Sequence, residues 1–309
     1  MAEAATGRAL RVLVVLNPQA GSCTADDVRG ALQRHFSCDD GACAVVETTE
    51  AGDLGEVVRK AGAEGRDMVI AAGGDGTVSA VAQGLVGTRT ALGIIPLGTA
   101  NVLARELGIP VDLEEACALL AGDHDLRAID AMRVGDRHFF TQVGIGIDAL
   151  MIRDTTREDK RRFGRVAYLW TALTRVVGFQ PRRFLLRVDG RESRRRASQV
   201  VLANVGTLGQ PPFTWGPGIE LDDGQIDICV VRARTAMDFL GLAWHVVRGH
   251  HERSGSVRYA VATRGVTVAT SRPLPVQADG EVIGETPVEV RVVPGAVRVV
   301  VPRAPATVA

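Results

Sequence analysis

Residues 67–77, Asp-Met-Val-Ile-Ala-Ala-Gly-Gly-Asp-Gly-Thr (DMVIAAGGDGT), decide the fold. Residues 67–72 read as an apolar strand of the kind that is buried on both faces of a parallel sheet, and they run straight into glycine. Gly73, Gly74 and Gly76 let the backbone turn tightly and approach a ligand, because no Cβ stands in the way. Residues 77–85 then read as a helix, whose first N–H groups would face whatever sits in the loop and favour an anion such as phosphate. No G-x-x-x-x-G-K-[ST] occurs anywhere in the chain, so this is not a Walker A loop.

The same unit recurs on either side. Residues 10–16 (LRVLVVL) form an apolar strand that ends at the turn signal Asn17-Pro18. A helix over 28–36 follows, opened by Asp26 and Asp27 near the positive end of its dipole. A second strand is expected at 44–48, a second helix at 53–63 and a fourth strand at 91–95. This β-α-β-α rhythm predicts a parallel sheet with helices on both faces. Two further loops share the position of the glycine run: Asn17-Pro18-Gln19-Ala20-Gly21 after the first strand and Pro96-Leu97-Gly98-Thr99-Ala100-Asn101 after the fourth. In the latter, Asn101 is suited to cap a helix over 102–107. Three unrelated βα turns explain each loop singly. They do not explain the shared place, the carboxyl edge of one sheet, where open α/β folds bind ligands.

Beyond about residue 130 the texture becomes β-rich. Short strands are expected at 126–134, 138–143, 184–188, 200–204, 226–231, 257–262, 266–270, 288–293 and 297–301. Asp189-Gly190, Asp223-Gly224 and Asp279-Gly280 punctuate them, as in antiparallel sheets. Helical stretches interrupt near 161–177 and 236–248. The chain therefore divides into an α/β domain, 1–130, and a β-rich sandwich domain, 131–309, whose final strand can return toward the first. A cleft between the two is the expected place for a ligand.

Composition narrows the class. The chain of 309 residues is 46% hydrophobic and 23% charged, and its 36 basic and 36 acidic residues balance. That balance argues against wholesale nucleic-acid binding. No secretory signal and no membrane-spanning run of the required length, about 18–20 apolar residues, is read. The five cysteines form no CxxC pair, which suits free thiols in a reducing compartment. His245, His250, His251 and Glu252 read as a solvated helix end rather than a metal site. Gly144-Ile-Gly-Ile-Asp-Ala149 fits G-x-G-x-x-A without a βαβ context, and the arginines of 191–196 read as a solvated hairpin edge.

Taken in order, NPxxG at 17–21, GGDGT at 73–77, PLGTAN at 96–101, GIGID at 144–148, DDG at 222–224 and DGE at 279–281 resemble the diacylglycerol kinase catalytic family. That family includes bacterial diacylglycerol kinases, related bacterial lipid kinases and the sphingosine and ceramide kinases. The resemblance covers nearly the whole chain. It implies an N-terminal domain like those of NAD kinases and phosphofructokinases, a C-terminal β-sandwich, and ATP and Mg²⁺ as cofactors. By motif, the ATP site comprises Asn17, Pro18, Gln19, Ala20, Gly21, Thr48, Gly73, Gly74, Asp75, Gly76, Thr77, Val78, Ser79, Ala80, Gly98, Thr99 and Asn101. Thr48 has Thr49 as its neighbour, and only Gly52-Asp53 downstream sets that alignment.

Read from the residues alone, Asp279 and Glu281 would share a face if they lay in a strand, whereas Asp279-Gly280 equally fits a hairpin turn. The resemblance assigns Glu281 as the base that accepts the acceptor hydroxyl's proton, with Asp279 assisting and Asp75 as the third catalytic carboxylate. It also implies that Asp75 and Asp130 belong to a carboxylate–water–metal network, and that Arg105 meets a phosphate or the lipid head group. Asp223, through its carboxylate, and Glu220 and Gln225, through their carbonyls, would hold a structural Mg²⁺. One departure stands out: where many bacterial members carry an aspartate, this chain has Val102, which cannot hold water or metal.

The expected activity is ATP-dependent phosphorylation of a membrane-lipid hydroxyl. An NAD kinase-like reaction on a soluble nucleotide and a non-catalytic nucleotide-binding protein are the alternatives. The expected partners are a lipid substrate and an anionic membrane surface, with cytoplasmic localisation at the inner face of the membrane and a homodimer left open. Lys160, Arg161, Arg162 and Arg165, with Phe163, Val166, Trp170, Leu173 and Val177 at helical spacing, suggest either an interfacial helix or one packed on the β domain.

Overall fold

The structure, a computed structural model, describes residues 10–21, 23–36, 43–49, 53–154, 181–207, 214–216, 218–248 and 254–303. The amphipathic stretch 161–177 and the cluster 250–252 lie outside them. The chain forms two compact units, Met1–Ile129 with Ala296–Ala309, and Asp130–Gly295.

In the first unit, β1 (Val12–Leu16), β2 (Cys43–Glu47), β3 (Met68–Gly73) and β4 (Ala91–Pro96) form a parallel sheet in the order β2-β1-β3-β4. Both faces of β1 are buried: Val12, Val14 and Leu16 share a core with Val28, Leu32, Cys117 and Leu120, while Leu13 and Val15 are buried opposite. Helices α1 (Ala25–His35), α2 (Leu54–Ala63), α3 (Asp75–Leu85), α4 (Val102–Glu106) and α5 (Leu113–Ala121) follow the strands. Thr24 and Asp27 form a capping box at α1, and Asp53 and Asp112 cap α2 and α5. Helix α3 starts two residues earlier than its apolar spacing predicts, so Asp75 is its first residue. Helix α5 has no counterpart among the expected elements, although Asp112 with Glu114 and Glu115 is an N-terminal signature.

The second unit is a sandwich. One sheet runs β12-β11-β10-β7-β14-β15, formed by β12 (Val257–Ala262), β11 (Ile226–Val231), β10 (Gln199–Ala203), β7 (Gln142–Gly146), β14 (Pro275–Ala278) and β15 (Glu281–Glu285). The other contains β9 (Arg191–Ala197), β8 (Arg182–Val188), β13 (Gly265–Thr270) and the start of β16 (Val288–Val301). All these pairings are antiparallel. Val143, Ile145, Val200, Leu202 and Ile228 of the first layer meet Phe184, Leu186, Val266, Val268 and Val290 of the second in one core. A hairpin of β5 (Asp125–Val134) and β6 (Arg137–Phe139) leads into β7, and α6 (Ile147–Asp154) and α7 (Ala236–Val247) complete the described elements. The arginine run 191–196 is the outer strand β9. The GIGIDA segment is the β7–α6 junction, where a Cβ on Gly146 would lie 2.4 Å from the Ser198 carbonyl oxygen; that glycine serves strand packing.

β16 belongs to both units. Val288 to Arg291 pair antiparallel with β13, and Val299 pairs parallel with Leu92 of β4. Pro294 and Gly295, the latter at φ 57°, sit between the two pairings, where a strand tolerates a missing donor and a bend.

Candidate active site

The loops after β1, β3 and β4 touch one another. Asn17 donates its backbone N–H to the Ala72 carbonyl at 2.9 Å and its Nδ2 to Thr77 Oγ1 at 3.3 Å. Its Oδ1 accepts from the Gln19 N–H at 3.0 Å, and the Ala20 N–H returns to the Asn17 carbonyl at 3.1 Å, closing the turn. Gly21 has φ 72°, and a Cβ there would lie 1.8 Å from the Leu97 carbonyl oxygen. A Cβ on Gly98 would lie 2.7 Å from the Cα of Gly74. The backbones of the NPxxG, GGDGT and PLGT loops thus pack without room for a side chain. Thr48 joins the same edge through its N–H to the Leu16 carbonyl at 2.9 Å, with Thr49 exposed beside it.

Asp75 locks this arrangement. Its Oδ2 accepts from the Asn101 N–H at 3.1 Å and its Oδ1 from the Val102 N–H at 2.6 Å, so a carboxylate at the start of α3 caps α4. Asn101 does not cap α4 with its side chain. It sits in the left-handed region, φ 48° and ψ 50°, which asparagine tolerates. Its Oδ1 accepts from the Gly98 N–H at 2.9 Å and its Nδ2 donates to the Gly98 carbonyl at 2.8 Å, which folds the loop back on itself. Val102 therefore contributes its backbone donor. Thr99 is exposed on the loop, and Arg105 Nε donates to the Ala100 carbonyl at 2.9 Å. Val78 packs into the core, while Gly76 is exposed and Ser79 and Ala80 are partly exposed along α3, which has no side-chain cap on its own N-terminus.

In the second unit, Asp279 and Gly280 form the two-residue turn between β14 and β15, with φ 45° and 87° and Ala278 paired to Glu281. Positive φ at both central positions is the type I′ pattern that Asp-Gly favours. The same-face argument for Asp279 and Glu281 therefore does not hold: one lies in the turn, the other opens a strand. The Asp279 carboxylate accepts from the N–H groups of Phe140 (2.9 Å), Thr141 (2.9 Å) and Gln142 (3.2 Å), and from Thr141 Oγ1 at 2.6 Å. The Glu281 side chain is 66% exposed and meets Arg137 at 3.3 Å, whose guanidinium stacks 5.0 Å from the Phe139 ring centroid.

Asp130 is 2% exposed, with Oδ2 accepting from the Gly224 N–H at 2.6 Å and Oδ1 from the Gly295 N–H at 2.7 Å. Asp223 accepts from the Gln225 N–H at 2.9 Å and from Gln225 Nε2 at 3.1 Å. Among the described residues, no three His, Cys, Asp or Glu side chains gather as a metal cluster. The Asp223 carboxylate with the Glu220 and Gln225 carbonyls is a set of hard oxygen donors, which fits Mg²⁺ chemically. Asp75 and Asp130 already receive backbone N–H groups on both oxygens, which leaves them spare lone pairs only.

Two residues of this region were missed in the sequence. Buried Asn204 donates Nδ2 to the carbonyls of Asp130 (3.0 Å) and Phe140 (2.9 Å), connecting the segment that holds Asp279 to the carboxylate that holds Gly224. Its Oδ1 has no hydrogen-bond partner among the described residues. Asp227 in β11 is pushed up to about 6 by burial and then by the Asp223 charge. An asparagine ending an apolar strand and an acid between Ile226 and Ile228 were the available signals.

A parallel α/β unit with glycine-rich loops at its carboxyl edge, followed by an antiparallel sandwich, defines the fold class of the NAD kinase-like and diacylglycerol kinase-like proteins. The diacylglycerol kinase catalytic domain model matches residues 11–134, and the YegS C-terminal NAD kinase beta sandwich-like domain model matches residues 141–301. The chain is 31% identical over 308 residues to a diacylglycerol kinase of Mycobacterium tuberculosis, covering 95% of this chain and 96% of that one. It is 33% identical over 319 residues to a probable lipid kinase YegS-like of Pseudomonas aeruginosa, covering 94% of each. The crystal structure of a putative diacylglycerol kinase from Bacillus anthracis superposes with a TM-score of 0.81 at 25% identity, over 100% of both chains. This chain belongs to the diacylglycerol kinase catalytic family, and that membership implies ATP as its phosphoryl donor.

Proposed function

We propose that this protein transfers the γ-phosphoryl group of ATP to a hydroxyl of a membrane lipid, diacylglycerol or a related lipid alcohol. The division of labour at the β14–β15 turn carries this reading. Asp279 is engaged by four donors and positions the turn, whereas Glu281 is exposed and able to accept a proton. The loops around Gly21, Gly74 and Gly98 would hold the ATP phosphates through backbone donors, with Thr48, Thr77 and Thr99 at the same edge. Asp75 keeps that cradle closed by capping α4, and Arg105 of α4, hydrogen-bonded to the Ala100 carbonyl of the 96–101 loop, would serve as a cation for a phosphate or head group. Mg²⁺, when bound, would neutralise the charge that develops during transfer; Asp75 and Asp130 are the carboxylates that would hold it through water, and Asp223 with the Glu220 and Gln225 carbonyls would hold a separate structural ion. This reading places the enzyme in the cytoplasm, visiting the inner face of the membrane.

The test is transfer of labelled γ-phosphate from ATP into a bacterial lipid extract, with Glu281→Gln and Asp75→Asn as controls. A labelled lipid made by wild type and by neither variant supports the proposal. Labelling of NAD or another soluble acceptor, with none in lipid, would overturn it in favour of an NAD kinase-like reaction. ATP binding without any transfer would identify a non-catalytic nucleotide-binding protein.

A further inference from the structure

Helix α7 carries an apolar stripe in the open. Thr235 and Asp238 form a capping box at its start, so the helix is well terminated by its own residues. Met237, Leu240 and Trp244 are 74%, 62% and 57% exposed. Spacings of three and four place them, with Gly241 and Arg248, along one side of the helix. Single exposed apolar side chains are ordinary on a protein surface. Three large ones on one stripe mark a surface that meets something else.

The surrounding charge says what. Exposed Arg232 and Arg234 precede the helix, and Arg248 ends it with its guanidinium 4.0 Å from the Trp244 ring centroid. The one acid in the helix, Asp238, is engaged with the backbone N–H groups of Arg234 (2.7 Å) and Thr235 (3.0 Å). A second copy of this chain is a poor occupant. Stripes packed antiparallel would set Arg234 of one against Arg248 of the other; packed parallel, they would set like arginines together. An anionic bilayer satisfies both parts: aliphatic and indole groups enter the headgroup–acyl boundary while the arginines stay at phosphate level. Among the described residues, no helix is long and apolar enough to cross a membrane.

We propose that α7 is an interfacial docking helix that seats the protein on an anionic membrane through Met237, Leu240 and Trp244, with Arg232, Arg234 and Arg248 at the phosphate level. The biological purpose of this seat rests on the lipid-kinase reading; the binding itself can be measured apart from it. The full-length protein is sedimented with vesicles of phosphatidylcholine alone and with added phosphatidylglycerol. Wild type is expected to favour the anionic vesicles, and Leu240→Glu with Trp244→Glu to weaken that binding at least about tenfold. Brominated acyl chains should quench a fluorescence component that Trp244→Phe removes. Because both side chains are exposed, the double variant should unfold at the wild-type temperature and phosphorylate detergent-dispersed short-chain diacylglycerol at the wild-type rate.

Unchanged vesicle binding by the double variant would overturn the proposal. So would a wild-type dimer that becomes monomeric in the variant while binding vesicles as before, since the stripe would then be a self-contact. If vesicle binding depends on α7 but no lipid is ever phosphorylated, the docking helix stands and the lipid-kinase reading falls. If lipid is phosphorylated equally from vesicles by both proteins, the docking helix falls alone.

Discussion

Asp75, Asp130, Asp189 and Asp279 each accept backbone N–H groups from a segment remote in sequence. A carboxylate has about four lone-pair sites and binds orphan donors more strongly than a neutral acceptor, so each aspartate fastens a loop that lacks a ladder partner. Asp189 and Asp279 do so from the same device, the first position of an Asp-Gly turn. This separates Asp279 from Glu281 experimentally. Asp279→Ala should cost about 1–3 kcal/mol of stability together with activity, because it leaves buried donors unpaired. Glu281→Gln should abolish transfer while denaturant unfolding stays at the wild-type midpoint. The Thr263 N–H, aided by those of Gly265 and Arg264, holds the Asp189 carboxyl well below its usual value of 3.8 against the effect of burial. Its contribution is therefore present above pH 3.8 and lost as pH falls below it. Asp189→Asn should lower the melting temperature at pH 7 and lower it less at pH 2.5. Cys117 and Cys229 are pushed up to about 12 by burial, whereas Cys23 and Cys43 are partly exposed. Site-resolved thiol labelling should modify the latter pair in the native protein and the former only after unfolding.

At the scale of elements, the βα units were legible because their cues are local. Apolar runs such as VLVVL and MVIAAG announce buried parallel strands, and glycine marks where they stop. The capping of α4 was not legible, since its cap, Asp75, comes from another helix 26 residues away. Asn101 carries the residue type of a cap, yet the left-handed backbone there turns its side chain back onto Gly98. The close approach of Gly98 to Gly74 makes a sharp prediction. Gly98→Ala should separate the two loops and weaken ATP-analogue binding by tenfold or more, read by fluorescence titration, with little change in acceptor-side binding. The Asp279-Gly280 hairpin was legible as a turn from its dipeptide, and pairing across β14 and β15 decided it against a continuous strand.

On the scale of the whole molecule, the last strand matters most. Residues 296–301 fill the place beside β4 in the first unit's sheet, and Val299 and Val300 are fully buried there. Val300→Ala should therefore cost about 2 kcal/mol in equilibrium unfolding, although it lies more than 160 residues after that unit's other strands. A protein truncated before residue 296 should leave β4 with an open edge and tend to aggregate, measurable by light scattering. The double pairing of β16 could be suspected from two apolar stretches flanking Pro294-Gly295, but the partner of each stretch is a long-range choice.

By itself the sequence determined the parallel α/β unit, the antiparallel unit, the three loops at one sheet edge and the family. Each of these rests on periodicity, glycine placement or an ordered set of motifs, which are properties of short segments. The tertiary structure alone decided which acids are engaged by backbone donors and which remains exposed, and it alone showed Asn204 between two acidic motifs and α7 with its stripe uncovered. Hydrogen bonds between distant segments and the exposure of a side chain depend on what packs beside it, and no local pattern carries that information.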